Sequence, residues 1–302
     1  MDARSMIDRL RPLAVFRHLS SAKLEELTRV LAVQSVPAGT LIAEEGSAGD
    51  TMFFIAQGDV RIEKRVETGG AKEVALLSPG DTFGEMALIE GSTRAARAVA
   101  HTDVTLFVLG KDALDRWVRS DPLTTVGFFV ELLRVVSHRL RVAGEEIVLL
   151  YDLGHLTAER FQEEAAFLRA VLHCLVPHLD GDWSGAAYLY HEFSQEVSRV
   201  GTEGPRGETL PETLPIARSE NRWLDDASFC LALSGKAETP LGFLVARNAT
   251  AMSARERREF GLTLTAAGHL LASALQNIKH DSEERLRARL ESQRTYGPAF
   301  QA

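Results

Sequence analysis

Residues 80–100 read GDTFGEMALIEGSTRAARAVA, a stretch that places a carboxylate, an arginine and several small residues close together. Its middle, EMALIEG, is compact and helix-like and is flanked by Gly84 and Gly91. The first N–H groups of a short helix have no intrahelical acceptor, so such an end can receive an anion. Arg94 adds a planar two-pronged donor suited to phosphate. Ala95 and Ala96 are small enough for backbone N–H groups to approach the same anion. Glu85 repels a phosphate but accepts hydrogen bonds from hydroxyl groups. Together these residues imply a ligand carrying both a sugar and a phosphate. The plainer alternative is a salt bridge between Glu85 and Arg94 inside a barrel that binds nothing.

Other residues capable of chemistry do not converge by spacing. Cys174 and Cys230 form no C-x-x-C pair and have no histidine at zinc-ligand spacing, so both read as small buried apolar residues. His173 and His178 are five apart and do not share a helix face, and neither they nor His191 complete a nucleophile–base arrangement. Trp183 and Trp223 read as core or loop anchors. Between residues 33 and 109 the only histidine is His101, which argues against a metal-binding barrel. No catalytic residue and no metal ligand are assigned.

The elements that must position Glu85 and Arg94 are readable in outline. Residues 1–31 are helical in pattern, with a cap at Ser20 or Ser21 and apolar Leu24, Leu27 and Leu31 at helical spacing. Residues 33–109 then give short strand-like runs separated by glycine-bearing turns, the pattern of an all-β sandwich or barrel. Over residues 124–150, Val126, Phe129, Leu133, Val136, Leu140, Ala143, Ile147 and Leu150 alternate spacings of three and four, the seam of a two-stranded coiled coil. An amphipathic helix over 156–180 follows, then strands GAAYLYHEF and EVSRVG, a polar loop over 202–226, strands SFCLALSG and LGFLVARN, and a long helix from 253 to 291. The fold class is therefore α+β, with a β-barrel first and an antiparallel sheet with helices second.

A chain of 302 residues with 45% hydrophobic and 25% charged residues suits a globular protein of two domains. The net charge of −8 disfavours general attraction to nucleic acid, which needs a concentrated positive field. The opening MDARSMIDRLRPL is broken by charge, so it is no secretory signal, and no apolar run is long enough to span a bilayer. The expectation is a reduced, cytoplasmic protein with no membrane partner and nucleic acid an unlikely one.

FGEMALIEGSTRAARAVA closely resembles the phosphate-binding cassette of cyclic-nucleotide-binding domains, as found in catabolite activators and in regulatory subunits of cyclic-AMP-dependent protein kinase. The family pattern F-G-E-(L/I/M)-A-L, a spacer and R-A-A is kept in register, and the likeness spans roughly residues 14–152. It implies a jelly-roll barrel in which Glu85 holds the ribose 2′-hydroxyl and Arg94 pairs with the cyclic phosphate. Backbone N–H groups near Gly84, Met86, Ala87 and Ala95 would complete the cradle. In this family a threonine directly after the arginine accompanies cyclic GMP preference, so Ala95 leans towards cAMP as ligand. The long helix resembles the activator's dimer helix, but the adenine-reading Thr-Ser pair is replaced by Ala143 and Gly144. Arg139 is the substitute assigned to approach the base.

After the long helix, activators carry a DNA-binding helix-turn-helix. Here PLGFLVARNATAMSARERREFGLTLTAAGHLLASALQN resembles the end of a GAF domain over about residues 157–280. The stretch before SFCLALSG is short for a GAF pocket wall, favouring dimerisation or relay over small-molecule binding. The expected domains are 1–122 for nucleotide binding, 123–155 for the dimer and linker helix, 156–280 for the GAF-like domain and 281–302 for a helical tail. With no output domain after that tail, the expected partner is a separate downstream signalling protein, unless the chain is shortened. The expected function is a homodimeric cyclic-nucleotide receptor, cAMP ahead of cGMP, and not an enzyme. The rivals are a ligand-free scaffold and an activator-type transcription regulator.

Overall fold

Two short helices lead the chain, α1 (Ala3–Leu10) and α2 (Ser21–Thr28). Of the two candidate caps, Ser20 is the one used: its side-chain oxygen accepts from the Lys23 N–H at 3.4 Å. Eight strands follow: β1 (Ala32–Val36), β2 (Leu41–Ala43), β3 (Thr51–Gln57), β4 (Val60–Arg65), β5 (Ala71–Leu77), β6 (Thr82–Phe83), β7 (Arg97–Ala100) and β8 (Val104–Gly110). The helix α3 (Glu85–Glu90) interrupts them between β6 and β7. The strands form two antiparallel sheets, ordered β1-β8-β3-β6 and β2-β7-β4-β5, which give the jelly-roll-like barrel. This computed structural model describes residues 3–66, 69–214, 219–235 and 239–295. It divides into units Met1–Arg141 and Val142–Ala302.

Strand alternation decides which β3 residues face the site. Side chains two apart share a face, so Phe53 and Ile55 join the barrel interior with Val60, Phe83 and Leu106. Met52 and Phe54 point the other way, into a core built with the helices. Phe54 meets Phe16 at 4.9 Å between ring centroids, and Phe16 meets Phe128 at 5.7 Å. Trp117 of α4 (Lys111–Ser120) also packs on Phe128, at 5.3 Å. Phe128 lies on α5 (Pro122–Ala158), so this aromatic cluster clamps the start of the long helix to the barrel.

α5 is longer than the heptad pattern over 124–150 indicated. It starts at Pro122, where a proline suits the first helical position. It runs on to Ala158 because Leu149, Leu153 and Leu156 continue an apolar stripe that packs into the second unit's core. The helix expected over 156–180 is accordingly shortened to α6 (Glu164–His178). Of the eight seam residues, Val126, Leu133, Leu140, Ala143, Ile147 and Leu150 are exposed, and Phe129 and Val136 are half-buried.

The second unit's sheet comprises β9 (Trp183–His191), β10 (Glu196–Glu203), β11 (Arg222–Trp223), β12 (Ser228–Ser234) and β13 (Pro240–Asn248), in the antiparallel order β10-β9-β13-β12-β11. β11 was hidden from the sequence inside the polar loop. The closing helix α7 (Ala254–Thr295) begins at a capping box: the Glu256 N–H donates to Ser253 Oγ at 3.3 Å, and the Ser253 N–H to Glu256 Oε2 at 2.7 Å. One sheet face packs with α6 and α7. The other carries Ala186, Tyr188, Val197, Cys230, Phe243 and Val245, with Leu210 of the loop buried against them. Tyr188 Oη donates to the Pro211 carbonyl at 2.7 Å. Trp183 is buried and stacks on Phe260 at 4.3 Å, while Trp223 is half-buried.

Burial pushes the Tyr188 hydroxyl up from 10.0 to about 12 and the Cys230 thiol from 9.0 to about 11. Both folded values lie above the unfolded ones, so the stabilisation by the neutral forms is complete below pH 9. It is lost as pH rises through about 11 and about 12. Denaturant titrations from neutral to strongly alkaline pH should show each group removing about 3 kcal/mol. Tyr188→Phe should flatten the decline, and a curve independent of pH above 9 would contradict this reading.

Candidate functional site

Gly84 and Gly91 bracket α3 in left-handed conformations, with φ of 81° and 64°. A side chain on Gly84 is excluded twice over, because its Cβ would lie 2.5 Å from Arg94 Nη1. Gly49 is constrained by space alone: a Cβ there would meet the Ala87 Cβ at 2.0 Å. The missing side chain lets the turn before β3 close onto α3. That turn also fixes the Arg94 backbone, whose N–H donates to the Ser47 carbonyl at 2.8 Å and whose carbonyl accepts from the Gly46 N–H at 2.9 Å.

Glu85 and Arg94 are each only 7% exposed, and they are not paired with each other. Arg94 Nη1 donates to the carbonyls of Thr51 at 2.7 Å and Gly84 at 3.1 Å. Nη2 donates to Thr51 Oγ1 at 2.6 Å. The Phe53 ring lies 5.5 Å from the guanidinium carbon. All these partners are neutral. Among the described residues no carboxylate forms an ion pair with Arg94. Burial therefore lowers its pKa below the usual arginine value, against a smaller opposing pull from Asp50 and Glu85.

Glu85 shows the complementary deficit. Its Oε1 meets Arg139 Nη1 at 3.4 Å, and its buried Oε2 has no hydrogen-bond partner. A buried acceptor left unsatisfied costs about 1–3 kcal/mol, which a ligand hydroxyl would relieve. Arg139, expected to approach the base of a nucleotide, is placed beside the α3 cassette. Its Nη2 donates to the Thr82 carbonyl at 2.7 Å and lies 3.8 Å from Asp81, so it is drawn to the acidic segment beside α3. Arg139 belongs to α5, so this contact ties the cassette to the long helix.

The remaining assigned residues fall in one place. Glu85, Met86 and Ala87 form the first turn of α3, the positions whose N–H groups lack intrahelical acceptors. Ala87 is buried, Met86 is exposed, and Ala95 is exposed directly after Arg94. Ala143 and Gly144 are exposed and bring no hydroxyl. Thr51, Phe53 and Gly49 escaped the sequence reading. Strand parity could have marked Thr51, which sits two before an interior phenylalanine.

The histidines stay dispersed: His173 pairs with Glu203, His178 with Asp152 and the Cys174 carbonyl, and His191 with Ser198. No group of three or more His, Cys, Asp or Glu is placed to hold a metal ion among the described residues. Among them too, no helix is long and apolar enough to cross a membrane.

Residues 33–121 match the family described as cyclic nucleotide-binding domain. The barrel with its α3 cassette is such a domain, of the type shared by catabolite-activator regulators and protein kinase A regulatory subunits. A CRP-like cAMP-activated global transcriptional regulator of Mycobacterium tuberculosis is 29% identical over 127 residues, 42% of this chain and 55% of that protein. A cAMP-dependent protein kinase regulatory subunit of Yarrowia lipolytica is 36% identical over 114 residues, covering 37% and 30%. A cyclic nucleotide-gated potassium channel of Rhizobium etli is 42% identical over 95 residues, covering 32% and 25%. The chain thus spans between a quarter and just over half of these relatives. Among solved structures, the Thermus thermophilus catabolite activator protein aligns with a TM-score of 0.43 at 26% identity, over 56% of this chain and 74% of that one. With a transcriptional regulator among its relatives, net charge alone does not exclude nucleic acid as a partner of this chain.

Gly84→Ala tests the cassette geometry. The added methyl group meets both a left-handed backbone and the Arg94 guanidinium, and should destabilise the first unit by about 1–3 kcal/mol in chemical unfolding. An unchanged unfolding midpoint would show that the turn relaxes without strain.

Proposed function

We propose that this protein is a homodimeric receptor for a cyclic nucleotide, cAMP ahead of cGMP, which passes occupancy of its barrel along α5 to the second unit. The observation that carries this reading is Arg94, a buried cation without a carboxylate partner. An isolated charge in such a site is costly, and an anionic ligand offsets that cost. A scaffold with a degenerate pocket would be expected to pair Glu85 with Arg94, and the two are separate. The cAMP lean rests on Ala95 and on the names of the Mycobacterium and Yarrowia relatives. In this proposal the ribose hydroxyl binds Glu85 Oε2, the phosphate binds Arg94, and N–H groups from Gly84 to Ala87 and at Ala95 complete the cradle.

Arg139 supplies the physical link for relay. A ligand that draws Glu85 towards its sugar competes with the Glu85–Arg139 contact, and Arg139 is part of α5. Coupling requires that the ligand bind the two helix positions with different affinities. The exposed seam on α5 supports dimerisation, and the helix–sheet–helix order of the second unit supports a GAF-like relay domain. The loop packed over Tyr188 favours relay there over small-molecule binding. The downstream target in this reading is a separate signalling protein. Transcriptional regulation is the second reading, favoured by the name of the Mycobacterium relative. It requires a mobility shift with DNA that depends on the nucleotide.

Isothermal calorimetry with cAMP and cGMP should give saturable heat, with cAMP tighter. Arg94→Ala should weaken binding by about 2 kcal/mol or more, as expected for loss of a charge-assisted contact. Absence of heat from both nucleotides at high micromolar concentration would refute the receptor.

For the dimer, Leu140→Glu places a charge on a seam residue that is 74% exposed. Sedimentation should show conversion of dimer to monomer while the barrel's melting transition persists. A wild-type protein that sediments as a monomer would overturn the homodimer.

A further inference from the structure

We infer that Thr51 is a positioning residue for the nucleotide site, its hydroxyl and carbonyl fixing which edge of the Arg94 guanidinium is presented to phosphate. The inference rests on the receptor reading above. A guanidinium carries five N–H donors. Nη1 spends its two on the carbonyls of Thr51 and Gly84, and Nη2 spends one on Thr51 Oγ1. Among the described residues, the donors without a hydrogen-bond partner are the Nε–H and the second Nη2–H. These two point the same way along one side of the planar group, the spacing that receives two oxygens of a phosphate in parallel.

Thr51 grips the adjoining Nη1–Nη2 edge with two atoms of one residue. That double grip exists because Thr51 starts β3 on the same face as Phe53, whose ring lies beside the guanidinium. The Thr51 and Gly84 carbonyls both meet Nη1, so without the hydroxyl they leave the Nη2 end of the planar group unheld. Without the Thr51 hydroxyl, Nη2 loses its acceptor inside a buried site, and the phosphate-facing edge is no longer held in one orientation.

The test compares Thr51→Val, which keeps the shape and removes the acceptor, with Thr51→Ser, which keeps the acceptor. Calorimetry with cAMP should show Thr51→Val weakened about tenfold, as for loss of one hydrogen bond to a charged group. Thr51→Ser should stay near wild type, and Thr51→Ala should match Thr51→Val if valine packs poorly. In an Arg94→Lys background the ammonium has no planar edge to orient, so adding Thr51→Val should cost no further affinity. Equal binding by wild type and Thr51→Val, no rescue by serine, or an undiminished loss in the Arg94→Lys background would each overturn the role of Thr51 while leaving the receptor intact. A wild-type protein that binds neither cAMP nor cGMP would overturn both.

Discussion

The first unit depends on one buried positive charge held entirely by neutral oxygens. Removing a guanidinium from water is expensive, and proteins usually recover the cost with a carboxylate in contact. Arg94 instead rests on two carbonyls, one hydroxyl and an aromatic ring. Such contacts satisfy donors without neutralising charge. The field of Arg94 is therefore directed at whatever enters beside it, and the unpartnered oxygen of Glu85 is held in the same cassette. One group is short of negative charge and the other of a donor, and a sugar phosphate supplies both.

The architecture around this charge follows from what it needs. The parity of β3 turns Thr51 and Phe53 inward while Met52 and Phe54 bind the helices. One strand thus builds the shelf for Arg94 and the anchor for α5. Glycines at 49 and 84 permit the two close approaches that shape the cassette, and larger residues at either place would collide with it. α5 then carries Arg139 back to the Glu85 carboxylate. In the proposed receptor the helix and the ligand meet at the two oxygens of one carboxylate, which is the physical content of the proposed relay.

Much of this was legible in the sequence where local chemistry decides it. The glycines flanking EMALIE and the alternation of short strands with turns each have one local cause and each appears in the fold, and the apolar spacing over 124–150 appears as a continuous helix. The residues missed were those whose role depends on partners distant in sequence. Thr51 lies 43 positions from Arg94, and nothing about a threonine opening a strand announces its acceptor role. The contacts of Arg139 with Asp81, Thr82 and Glu85 are not revealed by spacing either. The extension of α5 to Ala158 was likewise decided by packing, since Leu153 gains its burial only in the second unit's core.

The most direct test of the central claim is a crystal structure of the protein grown with cyclic AMP. The account predicts the phosphate on the Nε and Nη2 side of Arg94, a ribose hydroxyl within hydrogen-bond distance of Glu85 Oε2, and Thr51 still holding the Nη1–Nη2 edge of the guanidinium. Nucleotide bound away from the α3 cassette, or Glu85 closed onto Arg94 with the nucleotide absent, would contradict it.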